Sequence, residues 1–180
     1  LRSALWALRS ALGPGFAGYL ATERDSVALA GQGLQVDLLE VRRLIAAGSP
    51  EAAVDLCRGE LLQEFDDEWV LEAREEFDRD LAGALAELTA RASAAGDRAA
   101  AVNWARRRAA LCPLDESAGA GLISALVGAG DVPAATEAFA RLKQRLDSEL
   151  GVPVSEETAA LVGALPGRSG PASPDEEAGQ

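Results

Sequence analysis

The chain has 180 residues, with 29 acids against 17 bases, a net charge of −12, no histidine and no methionine. The missing histidine removes the commonest general acid/base and the commonest metal ligand, and the net charge argues against the whole chain wrapping nucleic acid. An apolar fraction of 48% permits a core, but with eight aromatic residues and 38 alanines that core needs closely approaching helices.

Residues 1–36 carry net charge +1. Leu1, Leu5, Leu8 and Leu12 recur at helical spacing, and Gly13-Pro14-Gly15 stops that helix. Tyr19–Thr22 and Ser26–Leu29 flank Glu23-Arg24-Asp25 and predict two short strands around a tight turn. Residues 37–97 carry net −10, so the acidity of the chain belongs mainly to one segment. From Asp37 to Leu165 only helical stripes appear, punctuated by Gly48-Ser49-Pro50, Gly96-Asp97, Gly130-Asp131 and Gly151-Val152-Pro153. Ser49, Asp97, Asp131 and Ser155 are expected N-caps. Residues 98–165 are nearly balanced at net −1, and Pro166–Gln180 is a Pro/Gly/Ser-rich acidic tail without apolar periodicity. Its composition predicts a disordered linker.

The punctuation contains a repeat. Gly96-Asp97 and Gly130-Asp131 lie 34 residues apart, and at that shift Leu88, Ala101 and Arg107 match Leu122, Ala135 and Arg141. At a shift of 48, Ala52-Ala53-Val54 matches Ala100-Ala101-Val102. A period of 34 with paired helices is that of tetratricopeptide (TPR) hairpins. Ala135, Phe139 and Pro113 fall where that repeat places its Ala, Phe and Pro, while its Trp, Gly and Tyr positions are unmatched. The expected fold is therefore mainly α, with TPR-like antiparallel helical hairpins preceded by one helix plus a β-hairpin.

No residues gather for catalysis. Ten carboxylates lie between Glu60 and Asp80, among them Glu68, Glu72, Glu75 and Glu76 at helical spacings. They read as a solvated helix face or as a docking surface for a basic partner. Trp69 within that run is expected to anchor one hairpin on the next. Arg106-Arg107-Arg108 fan around their helix; they read as solubilising residues that pair with the acidic face, with Trp104 in reach of a cation–π contact. Cys57 and Cys112 are expected as core filler inside helices. The glycine pairs at 31/33, 119/121 and 128/130 read as turn or close-packing residues. No catalytic, cofactor or metal site is expected, and no apolar run has the length of a membrane helix.

The Leu1–Gly13 helix, the Gly18-Tyr19-Leu20 hairpin ending in Asp25–Leu29, Asp37–Val41, Asp67-Glu68-Trp69, Pro113–Glu116 and Leu146-x3-Leu150-Gly151-Val152-Pro153-Val154-Ser155 together resemble SARP-type bacterial transcriptional regulators. The resemblance implies three segments: residues 1–36 as the recognition helix and wing of an OmpR-type winged helix, 37–165 as the TPR-like bacterial transcriptional activator domain, and 166–180 as a linker. With the missing methionine, it implies a chain that begins inside a winged helix. It further implies a non-enzymatic cytoplasmic activator whose partners are promoter DNA in the full-length protein, RNA polymerase and a second copy in a homodimer, with no membrane. Arg2, Ser3, Trp6 and Arg9 on the helix and Arg24 at the wing tip would be the DNA-binding residues, though packing within the winged helix is the competing role for Trp6. The alternative is a TPR-type interaction module of a multidomain signalling protein, without DNA binding.

Overall fold

The computed structural model describes residues 2–23, 26–29 and 35–163. The chain divides into two compact units, Leu1–Glu40 and Val41–Gln180.

In the first unit, α1 (Arg2–Leu12) ends at Gly13, whose φ of 74° is open to glycine. A 3-10 turn, Pro14–Tyr19, follows, so Tyr19 belongs to this turn and not to the strand expected from sequence. Pro14 presets the turn's first φ. Strands β1 (Leu20–Thr22) and β2 (Val27–Leu29) pair antiparallel, with Leu20 opposite Leu29 and Thr22 opposite Val27.

In the second unit helices follow one another: α2 (Asp37–Ala46, which begins in the first unit), α3 (Pro50–Leu56), α4 (Glu68–Ala94), α5 (Arg98–Leu111), α6 (Glu116–Ala129), α7 (Val132–Arg145) and α8 (Glu156–Gly163). A π-helical turn, Leu146–Leu150, extends α7. Gly48, Gly96, Gly130 and Gly151 all have positive φ, as helix stops in the left-handed region require. The side chains of Asp97 and Asp131 accept bonds from the backbone N–H groups of Ala100 (2.9 Å) and Ala134 (3.1 Å). Asp115 caps α6 in the same way through Ser117 N–H at 2.8 Å. Ser49 makes no such bond; Pro50 alone presets the start of α3.

Each helix packs on its chain neighbour from α3 to α7, α4 touches α6, and α8 lies on α6 and α7. This is the neighbour-to-neighbour pattern of stacked helical hairpins. The repeat read from sequence is also a repeat of burial. Ala53 and Val54 of α3, Ala101 and Val102 of α5, and Ala135 of α7 are all buried. Small side chains here let the helices approach. One core cluster joins Val54, Ala84, Leu85 and Leu88, with Trp104 and Leu111 packed against it. The other joins Val102, Ala105, Ile123, Leu126, Ala135, Leu142, Leu146 and Val162. Gly119 is a close-packing residue, since a Cβ there would meet Leu142; Gly31 and Gly33 lie outside the described residues.

Candidate functional site

The first candidate surface is one side of α1. At 3.6 residues per turn, positions 2, 3, 6 and 9 fall within about a third of the helix circumference. Ser3, Trp6 and Arg9 thus share one side of α1, which begins at Arg2. Ser3 and Arg9 are exposed, and Trp6 is 73% exposed. Arg9 Nη2 donates to Thr22 Oγ1 at 3.3 Å, which ties the helix to β1 and orients the guanidinium. Arg24, expected at the wing tip, lies outside the described residues.

The second surface surrounds the start of α4. The carboxylate run does not form one helical face: residues 60–67 are turn and loop, and only Glu68 onward is helical. Within α4, Glu68, Glu72, Glu75 and Glu76 are exposed. Asp78 is partly covered, and burial, reinforced by Glu60, raises its pKa. Arg42 of α2 bridges α4, donating to Glu76 at 3.0 Å and to Asp80 at 3.1 Å.

Arg74 organises the preceding loop. Its Nε donates to the Leu61 carbonyl at 2.7 Å, and Nη2 donates to the carbonyls of Leu62 (2.7 Å) and Phe65 (3.0 Å). Glu60 completes the clamp at 3.4 Å. Leu62 is held at φ 51°, the one non-glycine residue with positive φ among those described, a conformation costing roughly 1–2 kcal/mol. Trp69 does not anchor neighbouring hairpins as expected from sequence. It is 59% exposed on the first turn of α4, because Val70, fully buried beside it, takes the inward position.

A third feature is a groove of about 530 Å³ between α4, α5 and α6. Small residues such as Ala90, Ala101, Gly121 and Gly128 line it, together with Arg98 and Arg108. Arg108 Nη2 donates to Ser117 Oγ at 2.7 Å and to Asp115 at 3.3 Å, while its buried Nε has no partner. Arg107 and Arg108 therefore engage Trp104, Val54, Asp115 and Ser117 and not the acidic run at 60–80. Arg108 closes the turn into α6, and Arg107 stacks on Trp104 at 5.2 Å, a contact the sequence put within reach.

The cysteines are not inside helices. Cys57 and Cys112 occupy the C-cap positions of α3 and α5 and are partly buried. Burial, with Asp115 nearby, raises the Cys112 pKa and holds the thiol protonated. Among the described residues, no three His, Cys, Asp or Glu side chains are placed to hold a metal ion, and no helix is long and apolar enough to cross a membrane.

Sequence reasoning missed the Arg74 clamp. Its only trace is an arginine one turn and a half into a helix that follows an acidic, glycine-containing loop. Three backbone carbonyls as acceptors leave no mark on the sequence.

The described helices are similar to a solved structure, Mycobacterium tuberculosis EmbR in complex with a low-affinity phosphopeptide. The TM-score is 0.61 at 23% identity, over 90% of this chain and 48% of that one. The likeness is one of fold, and this chain spans about half of that protein's length in the structure. No curated protein matches the chain. The family model for the bacterial transcriptional activator domain matches residues 37–165, the helical segment from α2 through α8. The chain belongs to the bacterial transcriptional activator domain family, the helical domain of SARP-type transcriptional regulators.

Proposed function

We propose that the chain is part of a DNA-binding, cytoplasmic transcriptional activator that works by binding and not by catalysis. Residues 1–36 act as the recognition helix and wing of a winged helix, 37–165 as the activator domain that contacts RNA polymerase and a second copy, and 166–180 as a linker. The observation that carries this reading is the activator domain at 37–165 directly preceded by a helix and an antiparallel hairpin. On that helix Ser3, Trp6 and Arg9 stand exposed. Arg9 and Arg24 meet phosphates, and Arg2 a phosphate or a guanine edge.

The test is promoter binding by the full-length regulator. Arg9→Ala and Arg24→Ala are each expected to weaken binding across sequences and to reduce the salt slope by about 1. Promoter affinity unchanged in both variants removes these residues from the interface. The isolated 180-residue chain, with net +1 over residues 1–36, is expected to show no submicromolar DNA binding at physiological salt. The second reading, an interaction module of a signalling protein without DNA binding, is favoured by that same low charge. It prevails if the full-length protein binds no promoter DNA.

A further inference from the structure

Exposed large apolar side chains concentrate between residues 56 and 71: Leu56, Leu62, Phe65, Trp69 and Leu71. Scattered exposed leucines need no explanation, but a local concentration that includes two aromatics does. The loop carrying Leu62 and Phe65 is not slack. Arg74, with its side chain only 14% exposed, takes the carbonyls of Leu61, Leu62 and Phe65 at 3.0 Å or less. The clamp holds Leu62 in left-handed backbone while its side chain and that of Phe65 remain in solvent. A strained conformation maintained by a nearly buried cation, with apolar groups outward, is a preorganised display and not a packing solution.

We propose that Leu62, Phe65 and Trp69 are the anchors by which the activator domain docks a protein partner whose surface offers an apolar pocket rimmed by lysine and arginine. The charge around the anchors selects this occupant. Glu60, Glu64, Asp66, Asp67, Glu68 and Glu72 surround them in sequence, within a segment of net −10. Of the cations flanking the anchors in sequence, Arg74 is already engaged by backbone carbonyls and Glu60, and Arg58 is a single exposed charge against these six carboxylates. Nucleic acid is repelled by such a rim. A second copy meeting the same patch would oppose two acidic surfaces. Aromatic anchors within a charged rim are the arrangement in which a few side chains carry most of the affinity. Arg74 is a positioning residue here: it touches no partner but fixes where Leu62 and Phe65 stand.

The inference rests on the polymerase contact proposed above, so the experiment separates the two. The full-length regulator is titrated with purified bacterial RNA polymerase holoenzyme and, separately, with promoter DNA. Phe65→Ser and Trp69→Ser change exposed residues and are expected to leave the thermal midpoint and promoter affinity unchanged. Each should weaken polymerase binding at least tenfold, and the unsubstituted affinity should fall as salt is raised. Arg74→Gln should reproduce the loss and Arg74→Lys should restore part of it. If the unsubstituted regulator binds polymerase and both serine variants bind within twofold of it, the docking assignment is wrong and the polymerase reading stands. If the unsubstituted regulator binds promoter DNA but not polymerase, the polymerase reading fails and this assignment with it. If the serine variants dissolve a homodimer while binding polymerase normally, the patch faces a second copy and the assignment is overturned.

Discussion

Two glycines in helix interiors should respond oppositely to the same substitution. Gly83 in α4 has open space where a Cβ would stand, and its φ is not positive. Gly83→Ala should stabilise the protein by roughly 0.5–1 kcal/mol, the difference in helix propensity and unfolded-state entropy. Gly119 in α6 gains the same term but meets Leu142 of α7. An added Cβ would lie 2.6 and 2.7 Å from its two methyl carbons and 3.1 Å from its Cγ. Leu142 is buried in the larger core cluster, so it cannot swing into solvent to make room. Overpacking of this kind costs about 1–3 kcal/mol, which leaves Gly119→Ala at a net loss of about 0–2.5 kcal/mol. The two variants should then differ by roughly 1–3 kcal/mol, or about 2–12 °C in Tm for a chain of this size. Urea denaturation monitored by helical circular dichroism measures both. A double-mutant cycle adds a check, because Leu142→Ala alone should cost about 2–5 kcal/mol. Combined with Gly119→Ala it should cost less than the sum, since the new methyl enters the vacated volume. If Gly119→Ala stabilises as much as Gly83→Ala, the packing of α6 on α7 described here is wrong.

Other substitutions test the remaining contacts. Ala135→Trp, at a fully buried position of α7, should cost about 1–3 kcal/mol or more and lower the thermal midpoint; an unchanged midpoint contradicts the placement of that helix. Asp97→Ala and Asp131→Ala each remove a side-chain cap and should cost about 1 kcal/mol in urea titrations, whereas Ser49→Ala, which loses no cap bond, should cost less. The Glu116 carboxylate accepts from the hydroxyl of Ser155 at 2.6 Å and from its N–H at 2.8 Å, and these bonds, with Thr158, lower its pKa. A depressed folded-state pKa contributes stability above the unfolded glutamate value of about 4.3, lost as pH falls through the folded value. Glu116→Gln should therefore flatten the acid limb of stability against pH, as followed by Tm between pH 3 and 6; an identical acid limb in the variant excludes this contribution.

The helical order was legible because each stop is a local event. Gly48, Gly96, Gly130 and Gly151 end helices through backbone freedom that only nearby residues determine, and Asp97 and Asp131 cap within three residues. The match of Ala101 to Ala135 anticipated burial for a similar reason, since small residues at close approaches recur with the hairpin. Contacts across the fold were not legible. Arg107 and Arg141 match in the repeat, yet one stacks on Trp104 and bonds the Val54 carbonyl while the other pairs with Glu137 one turn away. Trp69 and Val70 are both apolar in the same turn, and the sequence does not say which of them turns inward. The candidate site was half visible. The acidity around residues 60–80 stands out in the composition, but the clamp that gives the loop its shape uses carbonyl acceptors that any residue supplies. On α1, helical spacing alone groups positions 2, 3, 6 and 9; the bond from Arg9 to Thr22 depends on how the hairpin folds back.

Helix α5 gives Val102 and Ala105 to one core cluster and lends Trp104 and Leu111 to the other. A helix that closes two cores at once cannot leave either without opening both. Amide hydrogen exchange should therefore be slowest in α5, with α3 and α8 opening as separate units on either side. A disturbance at one end of the row would reach the other chiefly through this helix, making α5 the spine along which the two halves of the domain sense each other's order.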